Sequence, residues 1–288
     1  MSTWRETLKE GEERLLRAGI PEGKYDAWAL MEFAFAMEKS YYFLHEDDRI
    51  EEEQLEAYRK LIAKREKRIP LQQILGSAWF MGYEFYVNDQ VLIPRFDTEI
   101  LVEEAGKLLK PEMKILDLCT GSGCILLSLL AEHRELKIKG TGVDISPPAL
   151  AVAKENRKRL QVEAEFVESD LFSQVRGSYH MITSNPPYIA TREIADLMPE
   201  VRDYEPHLAL DGKEDGLYFY RKIVEQAPSY LEPDGWLCLE IGYDQAEALR
   251  TMMEQNGYKK IKVIKDLAGL DRVVIGCYGS YGTLLWTE

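Results

Sequence analysis

The 288-residue sequence has few cysteines and histidines, and none are arranged to bind a metal. Its four cysteines (Cys119, Cys124, Cys238 and Cys277) include no C-x-x-C pair, and its four histidines are equally dispersed. Zinc sites and disulfide frameworks normally use closely spaced cysteines or histidines. The sequence therefore predicts neither a metal site nor a disulfide scaffold.

Long apolar runs are also missing. The longest ones fall far short of the roughly 18 residues that a membrane-spanning helix needs. The first fifteen residues carry alternating charges, unlike a secretion signal. We therefore expect a cytoplasmic protein without a membrane partner.

Positive charge is in the minority, since the sequence contains 36 Lys and Arg but 50 Asp and Glu, which gives a formal net charge of −14. A surface of this sign repels phosphate backbones on average, whereas nucleic-acid binding normally needs a cationic footprint. The composition argues against a stable nucleic-acid complex. With 45% apolar residues the chain can bury a sizeable core, in one large domain or two smaller ones.

Helical patterns fill the chain as far as about Arg68. Thr3 and Glu6 have the spacing of a capping box, which predicts a first helix. Residues 25–37 are apolar nearly all round, as in a buried helix, and residues 50–68 have the amphipathic spacing of an outer helix. These features predict a small helical bundle.

Alternating residues rich in Phe, Tyr and Val follow between Trp79 and Ile93, with turn signals at Gly82 and at Asn88-Asp89. This pattern predicts a short β-hairpin that bridges two domains. We therefore predict a helical domain over residues 1–75, a hairpin linker over 76–93 and a second domain over 94–288.

Beyond Pro111 the chain alternates short apolar runs with helical stretches, which predicts a doubly wound α/β fold with a mostly parallel sheet. The last apolar runs are separated by turn residues alone, so the sheet is expected to finish with antiparallel strands. The predicted strands are 114–118, 138–143, 166–167, 181–183 and 236–241, then 261–264, 273–277 and 283–286.

A glycine-rich turn, Asp117-Leu118-Cys119-Thr120-Gly121-Ser122-Gly123, joins the first of these strands to an apolar helix. Such a turn lets a ligand approach the backbone at a helix N-terminus. Asp144 ends the next strand, where a carboxylate can accept hydrogen bonds from ribose hydroxyls. Leu126 stands where a dinucleotide fold would place its third glycine, which weakens the alternative of a nicotinamide-dependent oxidoreductase.

The tetrad Asn185-Pro186-Pro187-Tyr188 follows the fourth strand. Two consecutive prolines make a rigid turn that lacks two backbone donors and keeps its carbonyl acceptors. A planar NH₂ group is a poor nucleophile, and two acceptors, Asn185 and the Pro186 carbonyl, can orient its lone pair towards a methyl donor. Tyr188 can cover the flat amide or base, and orientation of this kind can be worth about 7 to 11 kcal/mol.

These motifs resemble those of class I S-adenosylmethionine-dependent methyltransferases, and the tetrad resembles the signature of the enzymes that act on planar amino groups. Further segments resemble the HemK/PrmC family of release factor N5-glutamine methyltransferases. They are residues 93–99, 117–123, 204–206, 240–242 and 266–272, together with the tetrad. The resemblance extends over nearly the whole chain.

The resemblance implies a Rossmann-like class I methyltransferase fold and S-adenosylmethionine as the methyl donor, with S-adenosylhomocysteine as product. The acceptor it implies is the glutamine of the Gly-Gly-Gln motif of class I peptide chain release factors, which the helical domain would recognise. Catalytic roles fall on Asn185, Pro186 and Tyr188, and Pro187 joins them in binding the substrate. The cofactor-binding residues it implies are Asp117 at the methionine end, Cys119, Thr120, Gly121, Ser122, Gly123, Asp144, Asn185, and Asp170 with Leu171 near the adenine. A monomer is expected.

Two alternatives share these motifs. A DNA adenine or cytosine methyltransferase would use the same tetrad, but the net charge and the absence of a basic specificity domain oppose it. A non-catalytic S-adenosylmethionine-binding protein would not need the intact tetrad. The chain also departs from the family, which usually has Pro and Glu at Phe96 and Asp97, and Gly at Cys119. Residues 94–99 fit equally a loop before a helix over 99–109, capped by Asp97 or Thr98.

Overall fold

The computed structural model describes residues 2–279, which form two compact units. Among the described residues, one unit comprises residues 2–77 together with Met198–Tyr204, and the other comprises Ala78–Leu197 and residues 205–279. The strand predicted at residues 283–286 lies outside the described residues. Within residues 2–279 no helix is long and apolar enough to cross a membrane.

The first unit is built from helices. Its apolar core combines residues of the first four helices, among them Leu15, Leu30 and Ile62. The expected capping box is present, because the Thr3 hydroxyl accepts from Glu6 N while the Glu6 carboxylate accepts from Thr3 N. The helices are α1 Trp4–Arg17, α2 Gly23–Phe35, α3 Lys39–His45, α4 Glu52–Glu66 and α5 Leu71–Leu75.

Residues from much later in the chain complete this unit. The short helix α9 (Pro199–Tyr204) carries Glu200, whose carboxylate accepts from Arg65 Nη2 at 2.9 Å and from Arg68 Nη2 at 2.6 Å. Arg65 also donates to Asp26 at 2.7 Å, so one buried guanidinium holds two carboxylates. Nothing in the local sequence pattern around Glu200 indicates this association.

The predicted hairpin is present as β1 (Ser77–Phe80) and β2 (Tyr83–Tyr86), with its turn at Met81 and Gly82. Phe80 and Phe85 are fully buried in the core of the second unit. The turn signal at Asn88-Asp89 is not the turn of the hairpin, because both strands end before it.

The second unit contains the doubly wound sheet. Five parallel strands are followed by β9, which is antiparallel to both of its neighbours, β7 and β8, in the order β5-β4-β3-β6-β7-β9-β8. This arrangement confirms the predicted fold class. The strands are β3 Lys114–Leu118, β4 Lys139–Asp144, β5 Ala164–Glu168, β6 Tyr179–Ser184, β7 Leu231–Glu240, β8 Tyr258–Lys265 and β9 Asp271–Tyr278.

Two apolar cores cover the two faces of this sheet. Ile115 belongs to the core that includes α6 and α7, whereas Leu116 belongs to the core that includes α11 and α12, as the alternation of a strand requires. The remaining helices are α6 Phe96–Gly106, α7 Cys124–Glu132, α8 Pro147–Leu160, α10 His207–Leu210, α11 Tyr218–Gln226 and α12 Ala246–Gln255.

Candidate active site

A pocket opens at the carboxyl ends of the parallel strands, and its lining residues all lie in the second unit. Doubly wound sheets bind ligands at this edge, where the strand order reverses. Here the order reverses between β3 and β6. The predicted glycine turn follows β3 and the predicted tetrad follows β6, so the fold brings the two motifs together.

Four residues of the glycine turn line the pocket: Cys119, Thr120, Gly121 and Ser122. Gly121 has a φ of +54°, and no heavy atom lies within 4 Å of a Cβ built there, so its backbone is open to a ligand. Gly123 is the N-cap of α7 and has a φ of +80°. It is not a lining residue, and a Cβ there would come within 2.9 Å of a side chain of the next helical turn.

Cys119 has a φ of +56°, in the left-handed region that favours glycine. This conformation gives a physical reason for the glycine that the resembled family usually has there. Burial raises the pKa of the Cys119 thiol, so the group stays protonated and acts as a small apolar wall of the pocket.

Asp117 lies behind the glycine turn and does not line the pocket. It is fully buried, and its two oxygens accept from the hydroxyls of Thr120 at 2.6 Å and Thr183 at 2.8 Å. Burial raises the pKa of its carboxyl to about 7, against the lowering effect of the two hydroxyls. Asp117 therefore orients Thr120, which itself lines the pocket.

Asp144 does line the pocket, at the end of β4. Its oxygens accept from Gly121 N and Ser146 N, both at 2.9 Å. Burial raises its pKa, while these backbone donors lower it. A carboxylate has about four lone-pair sites, so acceptor capacity remains for a ligand with hydroxyl groups. The cap of the following helix α8 is Ser146, whose hydroxyl accepts from Ala149 N.

Asp170 and Leu171 follow β5 and also line the pocket. Leu171 is buried and has a φ of +48°, whereas Asp170 is exposed. The two side chains therefore offer one apolar and one charged group to the pocket.

Asn185 and Pro187 line the pocket, whereas Pro186 and Tyr188 do not. The Nδ2 atom of Asn185 donates to the Thr98 hydroxyl at 3.4 Å. Pro186 is buried. Burial raises the pKa of the Tyr188 hydroxyl, which therefore stays protonated. The structure thus brings half of the tetrad directly to the pocket.

Gln245 fixes the backbone that follows the prolines. Its Nε2 atom donates to Tyr188 O at 3.0 Å, and its Oε1 atom accepts from Gly242 N at 2.8 Å. Gly216 lies so close to the Tyr188 carbonyl that an added Cβ would come within 2.3 Å of it. The tetrad is therefore held from outside the pocket by Gln245 and Gly216, which belong to none of the sequence motifs.

The pocket wall also includes Pro94, Arg95 and Thr98, which come from a segment without an assigned site role. Arg95 Nη2 donates to both oxygens of the buried Glu205 carboxylate at 2.7 Å. Both residues lie in segments that resemble the HemK/PrmC family, and that resemblance was the available signal.

Groups of three or more histidine, cysteine or acidic side chains that could hold a metal ion do not occur within residues 2–279. The few polar groups of the pocket, together with its mostly apolar lining, suit a small organic ligand.

Comparison with known proteins identifies two matching family models. The PrmC N-terminal domain matches residues 6–76, and the methyltransferase small domain matches residues 95–201. A release factor glutamine methyltransferase of Geobacter sulfurreducens is 40% identical over 92% of this chain and 93% of its own length. One of Cereibacter sphaeroides is 42% identical over 93% of this chain and 96% of its own length.

Among solved structures, a methyltransferase from Pyrococcus furiosus matches with a TM-score of 0.54 at 20% identity, over 76% of this chain and 100% of its own. That likeness supports the class I methyltransferase fold. The two close relatives confirm the resemblance found in the sequence, and they span nearly the whole chain. The chain belongs to the release factor glutamine methyltransferase family.

Proposed function

We propose that this methyltransferase transfers a methyl group from S-adenosylmethionine to the side-chain N5 of the Gly-Gly-Gln glutamine in class I peptide chain release factors. The placement of Asn185 in the same pocket as the glycine turn and Asp144 supports the proposal. It puts an amide-binding side chain next to a nucleoside-type site. The names of the close relatives support the choice of substrate.

The pocket residues fit the proposed methyl donor. Asp144 can accept the ribose hydroxyls, Gly121 leaves open space beside its backbone, and Asp170 and Leu171 can contact the adenine. S-adenosylmethionine supplies a methyl group on a positively charged sulfur. Asp117 would not contact the cofactor itself. It would act through Thr120, whose hydroxyl donates to the Asp117 carboxylate and is thereby held in the pocket wall.

Asn185 would bind the reacting amide. Its side-chain oxygen can accept a hydrogen bond from the glutamine NH₂. The Pro186 carbonyl is the proposed second acceptor, although Pro186 itself is not a lining residue of the pocket. Two such bonds orient the nitrogen lone pair, which would form the new N–C bond as the bond between the methyl carbon and the sulfur breaks. The sulfur would leave as the neutral thioether of S-adenosylhomocysteine, and the nitrogen would give up one proton to solvent. Tyr188 would help to shape the amide site, since Gln245 fixes its backbone. Orientation of this kind can supply a large part of the acceleration.

The first unit would supply recognition of the intact release factor. It includes the residues that match the PrmC N-terminal domain, and it is separate from the pocket-lining residues. The enzyme is proposed to work in the cytoplasm, because translation termination takes place there. It is proposed to work as a monomer.

A methyl-transfer assay tests the proposal. Radiolabelled S-adenosylmethionine is incubated with the enzyme and a purified release factor, the same factor with its Gly-Gly-Gln glutamine changed to alanine, and unmethylated duplex DNA. Label on the unaltered factor alone is expected, and Asn185→Ala should lose this transfer while still binding the cofactor. Label on DNA instead would reassign the enzyme to nucleic-acid substrates.

A further inference from the structure

Glu240 is a buried acidic residue at the end of β7, the strand that pairs with β6. The β6 chain leads directly into Asn185. Glu240 is 1% exposed, and its Oε2 atom has no hydrogen-bond partner within the described residues 2–279. A buried polar atom without a partner is rare in folded proteins, and it calls for a physical explanation.

Polar groups of the active site face this carboxylate. Burial raises the pKa of Glu240 to about 7, and the Thr98 hydroxyl, Arg272 and the Asn185 amide act in the opposite direction, whereas Asp97 adds to the rise. Other titratable groups that interact with Glu240 are Tyr188, Tyr220 and Cys124. Thr98 and Asn185 both line the pocket, so two of the groups that act on Glu240 belong to the pocket wall.

The asparagine amide has two different ends. To accept a hydrogen bond from a substrate NH₂ group, Asn185 must present its oxygen to the pocket and turn its nitrogen away. An ionised carboxylate only accepts hydrogen bonds. A Thr98 hydroxyl that donates to Glu240 therefore keeps its lone pairs for Asn185 Nδ2, which lies 3.4 Å away. The reverse orientation would place the Asn185 oxygen against acceptors.

We propose that Glu240 is a positioning residue. Its carboxylate and the Thr98 hydroxyl hold the side-chain nitrogen of Asn185 on their side, so that the Asn185 oxygen faces the nitrogen to be methylated. This inference rests on the proposed function for its substrate. It assigns a role in the reaction to a residue outside the pocket wall.

The ionisation state of Glu240 then controls the amide. A protonated carboxyl can donate a hydrogen bond to the Asn185 oxygen or to Thr98, which removes the preference for the productive orientation. The ionised form increases as pH rises through about 7. Methyl transfer at saturating substrate should therefore rise over the same range.

A measurement without substrate tests the geometry. The side-chain ¹⁵NH₂ signals of Asn185, identified by their loss in Asn185→Asp, are followed by NMR as pH changes. In the wild type they should shift as Glu240 titrates. In Glu240→Gln the shift should vanish, while Glu232→Gln, at the other end of the same strand, should keep it. The proposal is overturned if the Asn185 chemical shifts do not change with pH in the wild type. It is also overturned if they change by the same amount in Glu240→Gln.

Kinetics with a release factor test the consequence. Glu240→Gln keeps the shape and one acceptor oxygen, and Glu240→Leu removes both acceptors. We expect kcat to fall in the order wild type, Gln, Leu, by up to about 100-fold, as for other small misplacements of reacting groups. The Kd for S-adenosylmethionine and the Tm of Glu240→Gln should stay unchanged. Parallel losses of kcat, cofactor binding and Tm would indicate a structural role instead.

The two experiments separate the inference from the function on which it rests. If the wild type does not methylate the release factor, the proposed substrate is wrong, and the NMR titration still decides whether Glu240 orients Asn185. If the wild type is active and both Glu240 variants keep its kcat and pH profile, the positioning role is wrong.

Discussion

Asp117 and Asp144 lie near the ends of neighbouring strands, yet their carboxylates have different tasks. Asp117 has both oxygens occupied by threonine hydroxyls and is fully buried. Asp144 accepts from two backbone donors and still faces the pocket. The donors and the exposure of each carboxylate, not its position near a strand end, therefore decide whether it can bind a ligand.

Replacing Asp144 should weaken cofactor binding. Asp144→Ala removes the acceptor proposed for the ribose and two bonds that hold Gly121 and Ser146. Hydrogen bonds to charged groups contribute about 1.5 to 3 kcal/mol, so the Kd should rise accordingly. Calorimetric titration measures it. Glu168→Ala, at the paired position on β5, is the matched control and should bind normally. An unchanged Kd in Asp144→Ala would contradict the assignment.

Replacing Asp117 should change how stability depends on pH. The folded pKa is raised to about 7 by burial, above the unfolded value of about 3.9. Between these values the folded state binds more protons, so the free energy of unfolding falls as pH rises and stays lower above about 7. Asp117→Asn should show a smaller fall in urea unfolding experiments across this range. An identical pH dependence would show that Asp117 titrates normally.

The residues that line the pocket were easier to predict from the sequence than the residues that support them from behind. Motif spacing located the glycine turn, Asp144 and Asn185, because each follows a strand end that the apolar pattern reveals, whereas Asp170 and Leu171 were implied by the family resemblance. It could not separate Asp117 from the lining residues, since that depends on the hydroxyl of Thr183, which lies 66 residues away. The partners of Tyr188 and Glu240 are equally distant and carry no local signature.

At the scale of elements, Asn156 of α8 connects three parts of the second unit. Its Oδ1 atom accepts from Tyr86 N at 2.7 Å, and its Nδ2 atom donates to Tyr86 O and to Ser122 O at 3.0 and 2.9 Å. The hairpin and the glycine turn are therefore fixed to one helix by a single fully buried side chain.

Asn156→Ala should reduce both stability and cofactor affinity. Each buried backbone group left without a partner costs about 1 to 3 kcal/mol, and the glycine turn loses one of its supports. Denaturant unfolding and the Kd for S-adenosylmethionine provide the two measurements. Asn256→Ala, at the end of α12, loses only a bond within its own helix and should change neither by much. Equal effects of the two substitutions would contradict the connecting role.

The presence of each strand was easier to predict than its bounds. β3 has the predicted bounds 114–118, whereas β7 begins at Leu231, five residues before the predicted 236, because the polar residues Glu232 and Asp234 interrupt the apolar pattern. The helix predicted over residues 99–109 was wrong at both ends, since α6 covers Phe96–Gly106. It begins at Phe96 after Arg95, without a side-chain cap, because neither Asp97 nor Thr98 is the N-cap residue. Thr98 is instead buried beside Asn185, so its side chain serves the site.

At the scale of the whole molecule, the division of the chain is not a single cut in sequence. The segment Met198–Tyr204 follows the tetrad closely but belongs to the helical unit through Glu200. The ion pair of Arg65 with Glu200 joins residues 135 positions apart, so sequence patterning could not reveal it. The predicted bounds at residues 75 and 93 remain a prediction about function, which only a truncation can test.

Removal of the residues before Gly76 should leave cofactor binding intact, because the pocket-lining residues belong to the second unit. Transfer to an intact release factor should be lost, whereas a short Gly-Gly-Gln peptide should still be methylated slowly. The truncated chain should also carry Glu200→Gln, because the deletion removes Arg65 and Arg68 and would leave an unpaired carboxylate. Full-length Glu200→Gln is the matched control. If the truncated enzyme modifies the intact factor as fast as this control, recognition belongs to the second unit and not to the helices.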